Sequence, residues 1–296
     1  MTRKLITETV MKYVLLVSAL ASMTIVLMIG VFTLKEGLPA FRELGLDDLL
    51  FGRTWRPGEG QFGVLSMIVG SGLVTIGAVA IGVPLALGAA IFLAEIAPKK
   101  IQGFVRPSIQ LLAGIPSVVY GLFGMVVLVP LVRKIPAPGN AGYGLLAASL
   151  VLAVMVLPTI ASVSEYAIRS VPKSFREGAL AVGSTKWETI TRVIMPAARS
   201  GIVSAIVLGL GRALGETIAM IMVIGNSVIM PTPSTANPLS LFLSRARTLT
   251  GNIAVEINYA TGIHEDALFA TGVVLFVLIM LVNSSARFLI SSKRWD

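Results

Sequence analysis

Cysteine is absent from all 296 residues, and histidine occurs once. The first absence removes disulfides and thiolate chemistry. The second leaves His264 with Glu265 and Asp266 beside it, and one histidine with two neighbouring acids does not make a zinc site, which usually takes three or four protein ligands. His264 therefore reads as the solvated start of a helix, and no metal site is expected. Charge is scarce as well: Asp, Glu, Lys and Arg make up 13% of the chain, against about 25% in a soluble domain. No G-x-x-x-x-G-K-[ST] occurs, so the chain has no P-loop with which to hold ATP. Low-complexity segments and strong internal repeats are also missing, and residues 1–296 read as one domain.

What is abundant is apolar surface, with hydrophobic residues at 55% and a mean hydropathy of +0.87. Six stretches have the length of roughly 20 apolar residues that a bilayer crossing needs. They are 13–34, 62–94, 107–132, 141–164, 201–224 and 267–286, and only the fifth carries charge. Backbone groups in lipid must be paired within the protein, so these spans are expected to be helices. The short alternating segments of a membrane barrel are not seen. The fold class is thus all-α transmembrane. Span 62–94 is about 50 Å long as a helix, so either Pro84 kinks it or its ends enter the interfaces.

Six passes put both termini on one side. The amino terminus, 95–106, 165–199 and the carboxyl tail hold 15 Lys and Arg against 6 acids, and the opposite loops hold 8 against 8. The whole excess of positive charge lies on one face, which the positive-inside rule assigns to the cytoplasm. Topology, not nucleic acid, accounts for the basic character. Arg3, Lys4 and Lys12 before an apolar run resemble a signal peptide, but the run continues to Leu34, beyond a signal's roughly 7–15 residues. An uncleaved first helix is expected.

Loop 165–199 interrupts the hydrophobicity. Pro172 breaks what precedes it, and Ser174 stands three residues before Glu177, a capping-box spacing. Gly183 ends that helix as a C-cap glycine would, and Ser184 or Thr185 starts the next. The second helix carries Trp187, Ile190, Ile194 and Met195 roughly on one face, suited to lipid, to its own bundle or to a partner's groove. Glu177, Ala179 and Gly183, then Val193, Met195 and Pro196 after nine residues, resemble the EAA loop of ABC importer permeases. Gly178, Val193 and Met195 stand where that family usually has Ala, Ile and Leu. The resemblance implies coupling helices that plug into a cytoplasmic ATPase, with Ser174, Glu177, Ala179, Gly183, Trp187 and Pro196 as the coupling residues. Glu165 and Arg169, just before it, are spaced to pair without a functional role.

In the fifth span, Arg212 and Glu216 lie four residues apart, on one helical face and within reach of each other. A charge at the bilayer centre costs about 2.5–3.5 kcal/mol, so such residues usually face a pathway. The bland alternative is a self-neutralising pair that holds the bundle together. An Arg fork suits phosphate or carboxylate oxygens, and Gly209, Gly211 and Gly215 leave room beside it. Glycines of the third span, in "AGIPSVVYGLFG" (113–124), read as close packing in preference to a broken helix beside a path. The loops 35–61, with Trp55, Pro57, Gly58 and Gly60, and 225–266 face outward. Residues 239–257 of the latter suggest an interfacial or re-entrant helix. Arg245 and Arg247 within it are either solvated or attract anions or a binding protein.

"RALGETIAMIMVIGN" (212–226), "LLAGIPSVVYGLFG" (111–124), "TWRPGEGQFGVL" (54–65) and "TLTGNIAVEI" (248–257) together resemble the phosphate-specific transport (Pst) permeases, of the PstC type. The resemblance spans essentially the whole chain. It implies a type I, MetI-like six-helix permease without its own nucleotide site or cofactor. It also implies a PstA-type permease partner, two PstB-type ATPases, a periplasmic phosphate-binding protein and residence in the bacterial inner membrane. Arg212 and Glu216 would then line the phosphate path. A molybdate or sulfate permease would share the EAA loop, and an ion-coupled secondary carrier would use the charged pair without an ATPase. A non-transporting sensor or scaffold would need a dedicated domain, and none is visible.

Overall fold

A computed structural model describes residues 2–233 and 240–291, and they are almost wholly helical. Helix α1 (Thr2–Glu43) is followed by the short α2 (Leu46–Phe51). A two-residue antiparallel hairpin comes next, β1 (Trp55–Arg56) with β2 (Gln61–Phe62). Helix α3 (Leu65–Ile91) contains Pro84 and continues as a π-helical turn to Ile96, remaining one apolar helix throughout. Its start at Leu65, behind the hairpin, shortens the span expected from residue 62.

After α3 come α4 (Lys99–Gly114), α5 (Ser117–Phe123), a π-helical turn (Gly124–Leu128), α6 (Val129–Arg133) and the long α7 (Leu145–Ser170). An elbow of α8 (Lys173–Ala181), α9 (Lys186–Glu188), a π-helical turn (Thr189–Ile194) and α10 (Met195–Ala197) leads into α11 (Arg199–Gly215). The chain ends with α12 (Ile218–Val223), α13 (Ser240–Leu243), α14 (Leu249–Glu256) and α15 (Ile263–Ser291).

Helix α7 is the hub, packed against α3 on one side and α11 on another. Small residues let these backbones approach, as membrane helices require in the absence of a hydrophobic driving force. Gly77 and Gly82 of α3 lie against Ser149 and Ala153 of α7, so those helices run parallel. Gly201 and Gly209 of α11 meet Ala167 and Ile160, so α11 runs antiparallel to α7. Gly37 of α1 lies against Ala270, and Gly272 of α15 against Thr33, again antiparallel. These directions are those of successive passes across a membrane. Among the described residues, four helices are unbroken and long and apolar enough to cross a membrane, and the number rises to six if each of two bent pairs is one span. The apolar residues of α1 from Val10 to Leu34 are nearly all exposed, as a lipid-facing helix requires.

Two expected spans are interrupted. The third bends by 96° between α4 and α5, where Ile115 is extended (ψ 129) in front of Pro116. A residue before proline is driven out of the helical region by the proline ring. Pro107, expected at the start of this span, lies inside α4, and no residue of that amphipathic helix is fully buried. The broken-helix reading of 113–124 therefore holds for its first half. Packing holds for the second: a Cβ on Gly121 would stand 2.6 Å from Met222 Sδ and 2.9 Å from Ala219 Cα, and one on Gly124 would collide with Val151. The fifth span breaks after Gly215. Among the described residues of 225–266, α13 and α14 are both short and α15 begins at Ile263, while 234–239 lie outside the described residues.

Each end has its own apolar cluster. Leu49, Trp55, Phe62, Leu249 and Leu268 close the hairpin end, and Ala90, Ile168, Ile190, Ile194 and Ile202 close the elbow end. Replacing Gly124 with Val should lower the thermal midpoint of the detergent-solubilised chain, with an overpacking cost of about 1–3 kcal/mol. Gly88→Ala, where nothing lies within 4 Å of the added methyl, should leave the midpoint unchanged or slightly raised.

Candidate functional site

At the elbow, local chemistry sets most of the geometry. Helix α8 ends in Val182, with Gly183 at φ +88. The N–H of Ser184 donates to Ala179 O (3.1 Å) and that of Gly183 to Leu180 O (3.0 Å), the paired bonds of a Schellman cap. Thr185 begins α9 with a complete capping box, its hydroxyl accepting from Glu188 N–H and its own N–H donating to the Glu188 carboxylate. The expected cap at Ser174 is not made. Pro172 takes the N-cap position with no side-chain bond, so Ser174 lies one turn-position inside α8, exposed.

The elbow is anchored by Ile190 and Ile194, both buried. Trp187 is not on their face: it is 62% exposed, together with Phe175, Leu180 and Val182. Glu177, Gly183 and Pro196 are also exposed, and Ala179 is half-buried. The elbow thus presents exposed apolar side chains among charged ones, Glu177 and Glu188 with Lys173, Lys186 and Arg192.

Buried ion pairs tie the elbow to the bundle. Arg176 of α8 donates to Glu95 at the end of α3 (Nη2–Oε1 2.6 Å) and to the last carbonyls of α7, Ile168 O and Val171 O. Glu165, buried in α7, pairs with Arg169 at 2.8 Å as the spacing anticipated, and also with Arg106 of α4. Arg169 continues to Leu93 O and Gln102. Nothing local in the sequence pointed to Arg106 or Glu95, since those pairs span 59 and 81 residues.

The second site is the break after α11. Arg212 and Glu216 do not form an ion pair. Glu216 leaves the helix in an extended conformation (φ −72, ψ 127), and its carboxylate accepts from Ala219 N–H at 3.2 Å, at the start of α12. The four-residue spacing argument assumed a helix that ends at Gly215, so it puts the two side chains on a face that does not exist. Arg212 instead donates to Thr159 Oγ1 of α7 at 3.2 Å. Both the Arg–Glu brace and the self-neutralising pair are thereby corrected.

Arg212 is exposed on an open cleft of about 660 Å³ lined by Thr159, Ser204, Val207, Leu208, Gly211 and Asn283. The two breaks belong together. Gly121 of α5 and Gly124 of the π-helical turn that continues it meet Ala219, Met222 and Val223 of α12 in rising order, so the two short helices run parallel and both breaks lie at one end of the pair.

At the hairpin end, His264 is not solvated. Its side chain is 13% exposed and its Nε2 lies 2.9 Å from Glu256 Oε2, among the rings of Trp55, Phe62 and Tyr259. Arg247 is also neither solvated nor free for an anion, because Glu256 pairs with it. Arg245 remains exposed, packed over Gly225.

With this geometry in hand, the chain belongs to the family of binding-protein-dependent transport system inner membrane components, whose profile matches residues 82–295. That match begins inside α3, after α1, α2 and the hairpin. Among its curated relatives, the phosphate transport system permease protein PstC of Haemophilus influenzae is 39% identical over 259 residues, covering 81% of this chain and 79% of that protein. The probable ABC transporter permease protein YqgH of Bacillus subtilis is 40% identical over 285 residues, covering 94% and 88%. In three dimensions the chain is similar to a permease of the inward-facing MetNI methionine ABC transporter, with TM-score 0.59 and 20% identity over 81% of this chain and 99% of that one. A bacterial ABC transporter that imports alginate gives 0.61 at 16% identity, covering 90% and 89%. The fold is that of the MetI-like ABC importer permeases, as the sequence had implied.

Glu165→Ala should lower thermal stability in detergent, because Arg106 and Arg169 would be left facing each other beside the bundle. The expected loss is about 3 kcal/mol, the low end for a broken buried pair, since both guanidinium groups keep contact with solvent.

Proposed function

We propose that this chain is the PstC-type permease subunit of an ATP-driven importer of inorganic phosphate. The observation that carries the reading is Arg212. It is a cation open to a cleft beside a helix break, in a chain 35–39% identical to PstC proteins over most of its length. An arginine has five N–H donors, and within the described residues Arg212 commits only to Thr159. The rest of its planar fork suits phosphate oxygens, which it can bind in bidentate fashion. Glu216, turned to cap α12, limits how long an anion stays by repelling it.

The permease performs no covalent chemistry. ATP is hydrolysed by two PstB-type ATPases that seat against the elbow, where Phe175, Leu180, Val182 and Trp187 offer apolar contact and Glu177 a charge. Elbow motion reaches Arg212 because α11 runs without interruption from Arg199 to Gly215. A PstA-type subunit supplies the other half of the path, and a periplasmic phosphate-binding protein delivers the ion at the hairpin end. The excess of Lys and Arg on the elbow side supports an orientation with the elbow and both termini in the cytoplasm, and the relation to PstC proteins supports residence in a bacterial inner membrane.

In cells or proteoliposomes with the complete importer, Arg212→Ala should cut phosphate uptake roughly tenfold or more, the scale of a lost charged hydrogen-bond pair. The second permease and the ATPase should still co-purify with the tagged variant. Unchanged uptake would remove Arg212 from the path. Gly183→Val forces a β-branched residue into a left-handed conformation costing about 1–3 kcal/mol. It should abolish uptake while membrane insertion persists and ATP hydrolysis loses its dependence on the binding protein; full-rate uptake would refute the elbow's coupling role.

A further inference from the structure

Helix α12 has six residues, too few to hold its own place, since a helix leaves about four unpaired backbone groups at each end. It packs against α5 and α7, and one short stretch, residues 246–250 leading into α14, bonds to the backbone at both of its ends. Before the helix, Thr250 Oγ1 donates to Glu216 O at 3.0 Å. After it, Ala246 N–H donates to Ile224 O at 3.2 Å, and Arg247 Nε–H to Asn226 O at 3.3 Å. Both ends of α12 are therefore gripped by five consecutive residues.

That stretch is in turn set by Glu256. The Glu256 side chain is 8% exposed, and one of its oxygens pairs with Arg247, whose own side chain is 12% exposed. Arg247 Nη1 also donates to Asn252 Oδ1 at 2.9 Å. The other Glu256 oxygen accepts from Trp55 Nε1 of the hairpin at 2.7 Å and lies 2.9 Å from His264 Nε2 at the start of α15. One carboxylate thus joins the hairpin, α15, α14 and the loop that grips α12. A buried ion pair is weak support for stability alone, because well-packed apolar residues often do as well. What it supplies is a single geometry, here for groups that converge from four separate segments.

We propose that Glu256 is a positioning residue for the turn after Arg212. Through Arg247 it sets the loop 246–250, and that loop sets α12 and Glu216, so contact at the hairpin end and the geometry of the path form one mechanical unit. The significance for transport rests on the reading of Arg212 and Glu216 as path residues; the mechanical link does not.

The absence of cysteine makes the link measurable in the full chain in native membranes. Val223→Cys puts a thiol on a fully buried position of α12, and its reaction with a small maleimide reports release of that helix. Adding Thr250→Val, which replaces the hydroxyl with a methyl group of similar size, should raise the labelling rate about fivefold, the scale of one net hydrogen bond. Thr250→Ser should restore the slow rate, and Glu256→Gln should raise it as Thr250→Val does. A second buried thiol, Val156→Cys in α7, should label slowly in every background. Equal rates at position 223 in all backgrounds would overturn the proposal. So would a parallel rise at position 156, which would mean general loosening. Labelling needs no anion, whereas the path reading is decided by uptake in Arg212→Ala, so the two can fail separately.

Discussion

Backbone N–H and C=O groups at membrane depth have no water to turn to, and an unpaired one costs several kcal/mol. Every interruption of a helix in this protein has to be answered by a group from elsewhere, and the arrangement of the bundle follows from those answers. Tyr120 OH donates back across the α4–α5 break to Leu112 O at 2.7 Å. Glu216 closes on Ala219 N–H while Thr250 satisfies its carbonyl. Gly144 N–H donates to Val223 O at the far end of α12. These bonds hold the two short helices, α5 and α12, side by side against α7.

Carboxylates organise both ends of the bundle in the same manner. Near the elbow, Glu95 and Glu165 collect Arg176, Arg106 and Arg169 from segments far apart in sequence. Near the hairpin, Glu256 collects Trp55, Arg247 and His264. Between the two, α11 is a continuous rod with Arg212 in its last turn. Arg212 is thus an exposed cation between two ends that are each organised by buried carboxylates.

Legibility in the sequence followed the range of the interaction. Gly183 and Thr185 were readable because a left-handed cap and a capping box are made by neighbours. Ser174 was misread although its motif was sound, since Pro172 is already compatible with the N-cap position and the helix begins before Ser174 can serve. Trp187 was misread because residue spacing does not say which side chains the bundle covers: Ile190 and Ile194 are buried and Trp187 is left exposed. The Arg212–Glu216 pairing failed for a related reason: spacing says who shares a face only while the helix persists.

The amphipathic long-range pairs had no sequence signal at all. His264 looked solvated beside two acids, yet it points into a cluster built from residues 55, 62, 256 and 259, and nothing adjacent to it in the chain announces them. By itself the sequence determined the apolar character of the helices, the caps of the elbow and the family resemblance, because lipid imposes length and polarity on each segment separately and caps are made by neighbours. The places where helices stop, the partners of every buried charge and the grip on α12 were decided only by tertiary structure. Those depend on which backbone groups meet across the bundle, and that is a property of packing that no single segment carries.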